Sequence, residues 1–71
     1  MEKILKSNVK FLNKKYSIAK ILKINEQSLL NKIYDNKRKF SIEDVMTISA
    51  CTNISVDDLL YKDLSKENEQ I

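Results

Sequence analysis

Apolar residues recur along this chain at intervals of three and four positions, the spacing that puts them on one face of an α-helix. No segment alternates apolar and polar residues for long, and no Asn-Gly or Asp-Gly pair marks a β-hairpin turn. The pattern therefore predicts an all-α fold, a compact bundle of about five short helices.

The N-terminal part of the pattern predicts two helices whose boundary has two solutions. The first helix covers residues 2–11, and the second runs from residue 14 to residue 22 with Asn13 as its N-cap. Ser17 is the alternative cap, which would leave the second helix barely longer than one turn. The residues expected to face the core along the five helices are Ile4, Leu5, Val9, Leu12, Ile18, Ala19, Leu22, Leu29, Ile33, Val45, Ile48, Ser49, Val56, Leu59 and Leu60.

The remaining three helices have clear start signals. Asn25 is able to accept a hydrogen bond from a free backbone N–H group at the start of helix three. Ser41, with Asp44 three residues later, forms an acidic capping-box pattern for helix four, and Ser55 repeats the cap for helix five. The polar tail that begins at Asp63 is expected to fray.

A chain of 71 residues predicts one folded domain, residues 1–64, followed by a polar tail, residues 65–71. Such a domain buries only about 60% of its unfolded surface, and a second copy of the chain is one common source of further burial. The single cysteine rules out an internal disulfide. No apolar run reaches the roughly 18 residues of a membrane span, and no signal peptide is evident at the N-terminus. These features favour a cytoplasmic protein.

Charge is distributed unevenly along the chain. Residues 1–40 carry a net charge of +8, whereas residues 41–71 carry −5. An asymmetry of this size suggests that the N-terminal half meets a polyanion. The alternative is a lysine-rich solvated surface with no such partner.

Few residues offer catalytic or metal chemistry. The chain has no histidine and no glycine, which excludes histidine catalysis, histidine metal sites and glycine-rich phosphate loops. Cys51 lies in an apolar helical segment and is expected to be a small core residue. Asp57 and Asp58 are explained as helix-start charge rather than as a metal pair. We therefore expect no enzyme activity, no metal and no cofactor.

Helices two and three are joined by a very short connection, in which Lys23 occupies the slot where a left-handed glycine is usual. The sequence around it resembles the Cro/CI-type, or XRE-like, helix-turn-helix proteins of the lambda repressor-like fold, over about fifty of its 71 residues. The resemblance lies in the order and spacing of Y-S-I-A-K-I-L-K-I-N-E-Q-S-L-L from Tyr16, N-K-R-K-F-S-I-E-D-V-M-T-I-S from Asn36 and N-I-S-V-D-D-L-L from Asn53.

The chain also departs from this family. Besides Lys23, Asn36 replaces the glycine after helix three, Phe40 replaces a proline, and Thr52 replaces a large apolar residue. Asn36 is expected to close helix three in the left-handed conformation, and Phe40 to fill the core. The stretch from Asn25 to Asn36 is one residue longer than the common pattern.

The resemblance implies a sequence-specific DNA-binding transcriptional regulator, a nucleoid-associated repressor of phage, plasmid or bacterial origin. Helix three would enter the major groove of double-stranded DNA, where Gln and Asn pair with adenine and Lys with guanine. The implied base contacts are Glu26, Gln27, Ser28, Asn31 and Lys32. The implied phosphate contacts are Lys14, Lys15, Ser17, Lys20, Asn36, Lys37, Arg38 and Lys39, with the first four at the start of helix two.

The C-terminal helix has two interpretations. Val56, Leu60, Tyr61 and Leu64 form an apolar strip that a second subunit would cover, which gives a homodimer on DNA. Alternatively, the leucines close the core of the monomer and leave Tyr61 half exposed. A different function is also open, a protein-binding module on the same scaffold, such as a phage-encoded inhibitor or an antitoxin. Leu30, which lies on the recognition face, and the altered turn motivate it.

Overall fold

The computed structural model describes the backbone of residues 2–69 and the side chains of residues 3–66. Within that range the chain forms helices and no strand, so the all-α prediction is confirmed. Six helices pack into a small bundle, where about five were predicted. They are α1 (Glu2–Tyr16), α2 (Ile18–Leu22), α3 (Glu26–Tyr34), α4 (Ile42–Thr52), α5 (Val56–Tyr61) and α6 (Leu64–Glu69).

Helix α1 is longer than predicted, and the preferred boundary between the first two helices is wrong. It continues to Tyr16, and the break falls at Ser17, whose φ of 49° is left-handed. Asn13 nevertheless bonds the start of α2 from within α1, because its Oδ1 accepts a hydrogen bond from the Ile18 N–H at 2.9 Å. The alternative boundary at Ser17 is correct in position, although the Ser17 side chain makes no cap hydrogen bond.

The core lies between α1, α2, α3, α4 and α5. The buried apolar residues are Leu5, Val9, Leu12, Ile18, Ala19, Leu29, Ile33, Phe40, Val45, Ile48 and Leu59, while Leu22, Val56 and Leu60 pack at the edge. The predicted burial of Phe40 is confirmed. Burial of this set supplies most of the favourable free energy of folding.

Two residues expected in the core lie at the surface instead. Ile4 is 36% exposed, because the buried stripe of α1 follows Leu5, Val9 and Leu12, about a quarter-turn away. Cys51 is exposed for a similar reason. The buried face of α4 consists of Val45, Ile48 and Thr52, and Cys51 lies to one side of that face.

The predicted caps of α3, α4 and α5 are confirmed. The Asn25 Oδ1 accepts the Ser28 N–H at 2.7 Å, and the Ser55 Oγ accepts the Asp58 N–H at 3.1 Å. At α4 both halves of the capping box are present, between the Ser41 hydroxyl and the Asp44 carboxylate. Each cap satisfies a backbone N–H group that the helix leaves without an internal partner.

Helix α3 does not end as predicted, because Asn36 is not left-handed. Among the described residues only Ser17, Lys23 and Asn53 have positive φ. The chain leaves α3 through Asp35, which has extended backbone angles. Its carboxylate Oδ1 accepts the Lys37 N–H at 2.9 Å, and this local side-chain turn replaces the left-handed cap.

The segment predicted to fray contains a sixth helix, α6 (Leu64–Glu69), which the sequence pattern did not predict. Residues 70 and 71, the rest of the predicted tail, lie outside the described residues. Asp63 caps this helix, since its Oδ1 accepts the Ser65 hydroxyl at 2.7 Å and the Lys66 N–H at 3.3 Å. The Ser65 hydrogen bond is the main cause that lowers the pKa of the Asp63 carboxyl below its ordinary value.

Candidate nucleic-acid interface

The α2–α3 pair is held by its turn. Lys23 is left-handed, with φ 60° and ψ 40°, as predicted. Its N–H bonds the Lys20 carbonyl oxygen at 3.2 Å, and the Ile24 N–H bonds the Ala19 carbonyl oxygen at 3.0 Å. These two bonds form a Schellman motif, which ends α2 and fixes where α3 begins.

A polar stripe runs along the outer face of α3. It consists of Gln27, Asn31 and Tyr34, which are spaced by four and three residues and so lie above one another on the helix. The Gln27 Nε2 donates to the Asn31 Oδ1 at 3.1 Å, and Tyr34 is 61% exposed. This stripe (the α3 stripe) is opposite the buried residues Leu29 and Ile33. Gln27 and Tyr34 are exposed, and Asn31 between them is half buried.

The other predicted base-contact residues differ in how far they are exposed and in the contacts they form. Glu26 is exposed, but its Oε1 accepts a hydrogen bond from the Asn13 Nδ2 at 3.2 Å. Ser28 is half buried on the flank of the helix. Lys32 points toward α4, where its Nζ lies 3.6 Å from the Asp44 Oδ2 and 5.8 Å from the ring centre of Phe40. Gln27 and Asn31 are thus the predicted residues that the structure aligns on one outward face.

Basic residues follow the C-terminal end of α3. Lys37, Arg38 and Lys39 are exposed, as is Asn36. The Arg38 Nε lies 3.7 Å from the Asp35 Oδ2, an exposed pair of small energetic value. The loop is also tied to α1, because the Lys6 Nζ donates to the backbone carbonyl oxygens of Asp35 at 2.8 Å and Arg38 at 2.6 Å.

The phosphate contacts predicted at the start of helix two are distributed differently. Lys14 and Lys15 belong to the last turn of α1, because α1 continues through them. Ser17 is the exposed left-handed linker, and Lys20 is exposed within α2. The Asn13–Glu26 hydrogen bond brings the last turn of α1 beside the first turn of α3. Basic side chains therefore lie near both ends of α3.

Three residues of this surface were not identified from the sequence. Tyr34 completes the α3 stripe, and its position seven residues after Gln27 was the available signal. Lys10 has its Nζ 5.3 Å from the Tyr34 ring centre, and Asn13 links α1 to both α2 and α3. The contacts of Lys10 and Asn13 join residues of different helices, so the periodicity of a single helix does not predict them.

Three of the four residues predicted to form a dimer interface line an apolar groove; these are Val56, Leu60 and Tyr61, whereas Leu64 does not line it. Val56, Leu60 and Leu64 pack partly against the core, while Tyr61 is 64% exposed. Tyr61 faces a groove that α4 shares, with a volume of about 290 Å³. Ile42 and Met46, which were not predicted from the sequence to form an interface, are exposed there by 78% and 58%.

Within the described residues no three or more acidic or cysteine side chains come together as metal ligands would. None of the helices described is long and apolar enough to traverse a lipid bilayer. The chain was compared with protein-family models, with curated proteins and with solved structures, and no match was found in any of the three.

Proposed function

We propose that the protein binds double-stranded DNA and acts as a sequence-specific transcriptional regulator, a repressor in the Cro/CI manner. The observation that carries this proposal is the α3 stripe, an outward polar face on a helix with basic residues near both of its ends. Two features of the sequence also support the proposal. Residues 1–40 carry a net charge of +8, and the spacing of residues in the α2–α3 segment resembles that of the helix-turn-helix family.

The α3 stripe would read bases from the major groove, which is wide enough for an α-helix. An amide side chain such as that of Gln27 or Asn31 pairs with adenine through two hydrogen bonds. Their mutual hydrogen bond holds the two amides side by side before DNA arrives. Glu26 would accept from a cytosine amine only after it gives up its bond to Asn13.

Lysine and arginine side chains near the ends of α3 would bind phosphates. Such contacts fix the position of the protein on the duplex without reading its sequence. Each phosphate that is neutralised releases counterions, so affinity falls steeply as salt rises. Lys37 and Lys39 suit this role best within the loop, because neither forms an ion pair with a described carboxylate.

The experiment is a selection of duplexes from a randomised library, followed by affinity measurements at several salt concentrations. Replacing Gln27 with Ala should change which duplex is preferred, whereas Lys37→Gln should weaken binding to all duplexes alike. Lys66→Gln is the matched control, since it removes one charge from the acidic half of the chain. Wild-type affinity that does not fall as salt rises would contradict the proposal.

We propose a second copy of the chain as the partner at the apolar groove between α4 and α5. A domain of this size gains stability from additional burial, and Ile42, Met46 and Tyr61 are large side chains left in water. A two-fold dimer would present two α3 helices to half-sites one turn of DNA apart, about 34 Å. Occupation of the groove by a different protein, as in a protein-binding module, is the alternative outcome.

A further inference from the structure

A second basic surface lies beside the C-terminal end of α3, on α1. An open cleft of about 600 Å³ separates the two helices, and its polar lining is Lys3, Lys6, Ser7, Lys10, Tyr34 and Asn36. No part of it belongs to the phosphate contacts predicted from the sequence except Asn36. We call it the α1 cleft.

The three lysines of the α1 cleft are aligned by the helix that carries them. Lys3, Lys6 and Lys10 are spaced by three and four residues, so they lie on one face of α1. At a rise of 1.5 Å per residue they extend over about 10 Å. Among the described side chains no acidic residue lines the cleft, so the three lysines place their positive charge along one wall of a space open to solvent.

Contacts with the end of α3 hold this surface in place. Lys6 is committed to the backbone carbonyls of Asp35 and Arg38, and its charge stays beside the basic loop. Lys10 lies over the ring of Tyr34, the last member of the α3 stripe. Lys3 and Lys10 form no ion pair with any described side chain. Their ammonium groups therefore retain donors for an anion.

Continuity with the α3 stripe indicates which anion fits. Tyr34, the last residue of the α3 stripe, contacts Lys10, and Lys3 lies further along the same cleft. The loop that carries Lys37 and Lys39 lies on the same side of α1, because the Lys6 Nζ donates a hydrogen bond to its backbone. A sugar-phosphate backbone that continues past the C-terminal end of α3 would therefore contact this row of positive charges. A single small anion would use only part of it.

We infer that the α1 cleft binds the sugar-phosphate backbone of the same duplex, beyond the C-terminal end of α3. This inference rests on the proposed DNA-binding function and extends its footprint onto α1. Lys3 and Lys10 bind phosphate oxygens, and the Tyr34 hydroxyl donates a further hydrogen bond to the backbone. Lys6 is a positioning residue, since it holds the loop against α1.

The test is the slope of log affinity against log salt for the selected duplex. Lys3→Gln and Lys10→Gln should each reduce the slope by about 0.9 and leave the preferred sequence unchanged. Lys10→Arg should keep the slope, because it keeps the charge. Lys66→Gln is again the control. Circular dichroism of each variant checks that the fold is retained.

The possible failures are distinguishable. If wild-type protein shows salt-dependent binding while Lys3→Gln and Lys10→Gln behave like Lys66→Gln, the cleft inference is wrong and the proposed function stands. If Lys3→Gln and Lys10→Gln change the preferred sequence rather than the slope, the cleft does not act on the backbone. If wild-type protein binds no duplex, both the proposed function and the inference fail together.

Discussion

The side-chain amide of Asn8 donates a hydrogen bond of 2.8 Å to the main-chain carbonyl oxygen of Leu59, across 51 positions of sequence. The same Nδ2 donates to the Lys62 carbonyl oxygen at 2.7 Å, and the Oδ1 accepts the Leu64 N–H at 3.1 Å. Asn8 is almost fully buried in α1. One side chain thus satisfies three backbone groups where α5 ends and α6 begins.

Replacing Asn8 with Ala should lower the free energy of unfolding by about 2–4 kcal/mol, because it leaves buried backbone groups without partners. Urea denaturation followed by circular dichroism measures the change. Asn31→Ala is the matched control, since the hydrogen bond that its side chain forms with Gln27 is exposed, and it should cost less than about 0.5 kcal/mol. Equal effects of the two substitutions would show that the Asn8 bonds contribute nothing specific.

Replacing the left-handed Lys23 should raise the free energy of unfolding rather than lower it. A side chain in this conformation costs about 1 kcal/mol relative to glycine, so Lys23→Gly should raise the free energy of unfolding by about that amount. Lys20→Gly, three residues earlier within α2, should lower it by about 1 kcal/mol. Thermal denaturation of both variants checks the pair. A lower stability for Lys23→Gly would show that the lysine side chain has a compensating contact.

Local rules predicted those parts of the fold that depend on residues close in sequence. The caps at Asn25, Ser41 and Ser55 each involve a backbone N–H three residues later, and all three are correct. The left-handed turn at Lys23 follows from the short connection that it must close. Spacing of apolar residues likewise located most of the core.

The errors arise where two local options compete or where a distant residue decides. Asn36 was expected to close α3 in the left-handed conformation, but the Asp35 carboxylate accepts a hydrogen bond from the Lys37 N–H and closes the helix instead. Asn13 was expected to cap a helix that begins after it, yet it bonds Ile18 from inside α1. The five predicted helices did not include α6, whose Leu64 N–H donates to the Asn8 Oδ1 from 56 positions earlier, and no local pattern reveals that bond.

The candidate interface was predictable in the same uneven way. The outward position of Gln27 and Asn31 follows from the helical period, and the exposed basic loop follows from composition. The orientation of Lys32 toward Asp44 and the cleft between α1 and Tyr34 depend on how separate helices pack. Periodicity describes a single helix and therefore does not give these distances.

Acid should weaken the cap of α6. The pKa of Asp63 is lowered in the folded protein, chiefly by the Ser65 hydroxyl, so the ionised carboxylate favours the fold at pH above the ordinary value of about 3.9. This contribution is lost as pH falls below about 4 through the lowered folded value. Carbon-detected NMR should show Asp63 titrating at lower pH than an aspartate in an unstructured peptide. Ser65→Ala should move its pKa back upward.

The groove between α4 and α5 should control the association of two copies. In sedimentation equilibrium the wild-type mass should rise with concentration toward twice that of the chain. Met46→Glu would place a charge in the apolar contact and should weaken dimerisation at least about 100-fold, since an unpaired buried charge costs several kcal/mol. Thr47→Glu, the next residue of α4, lies outside this groove and should leave dimerisation unchanged.

Folding and association are separable in this experiment, because Met46 is already 58% exposed in the single chain. Met46→Glu should therefore unfold at nearly the same urea concentration as Thr47→Glu when both are dilute. If the wild-type protein stays at the mass of one chain at every concentration, the groove does not bind a second copy. A dimer that Met46→Glu leaves intact would instead place the contact on another surface, and half-site spacing on DNA would then change with it.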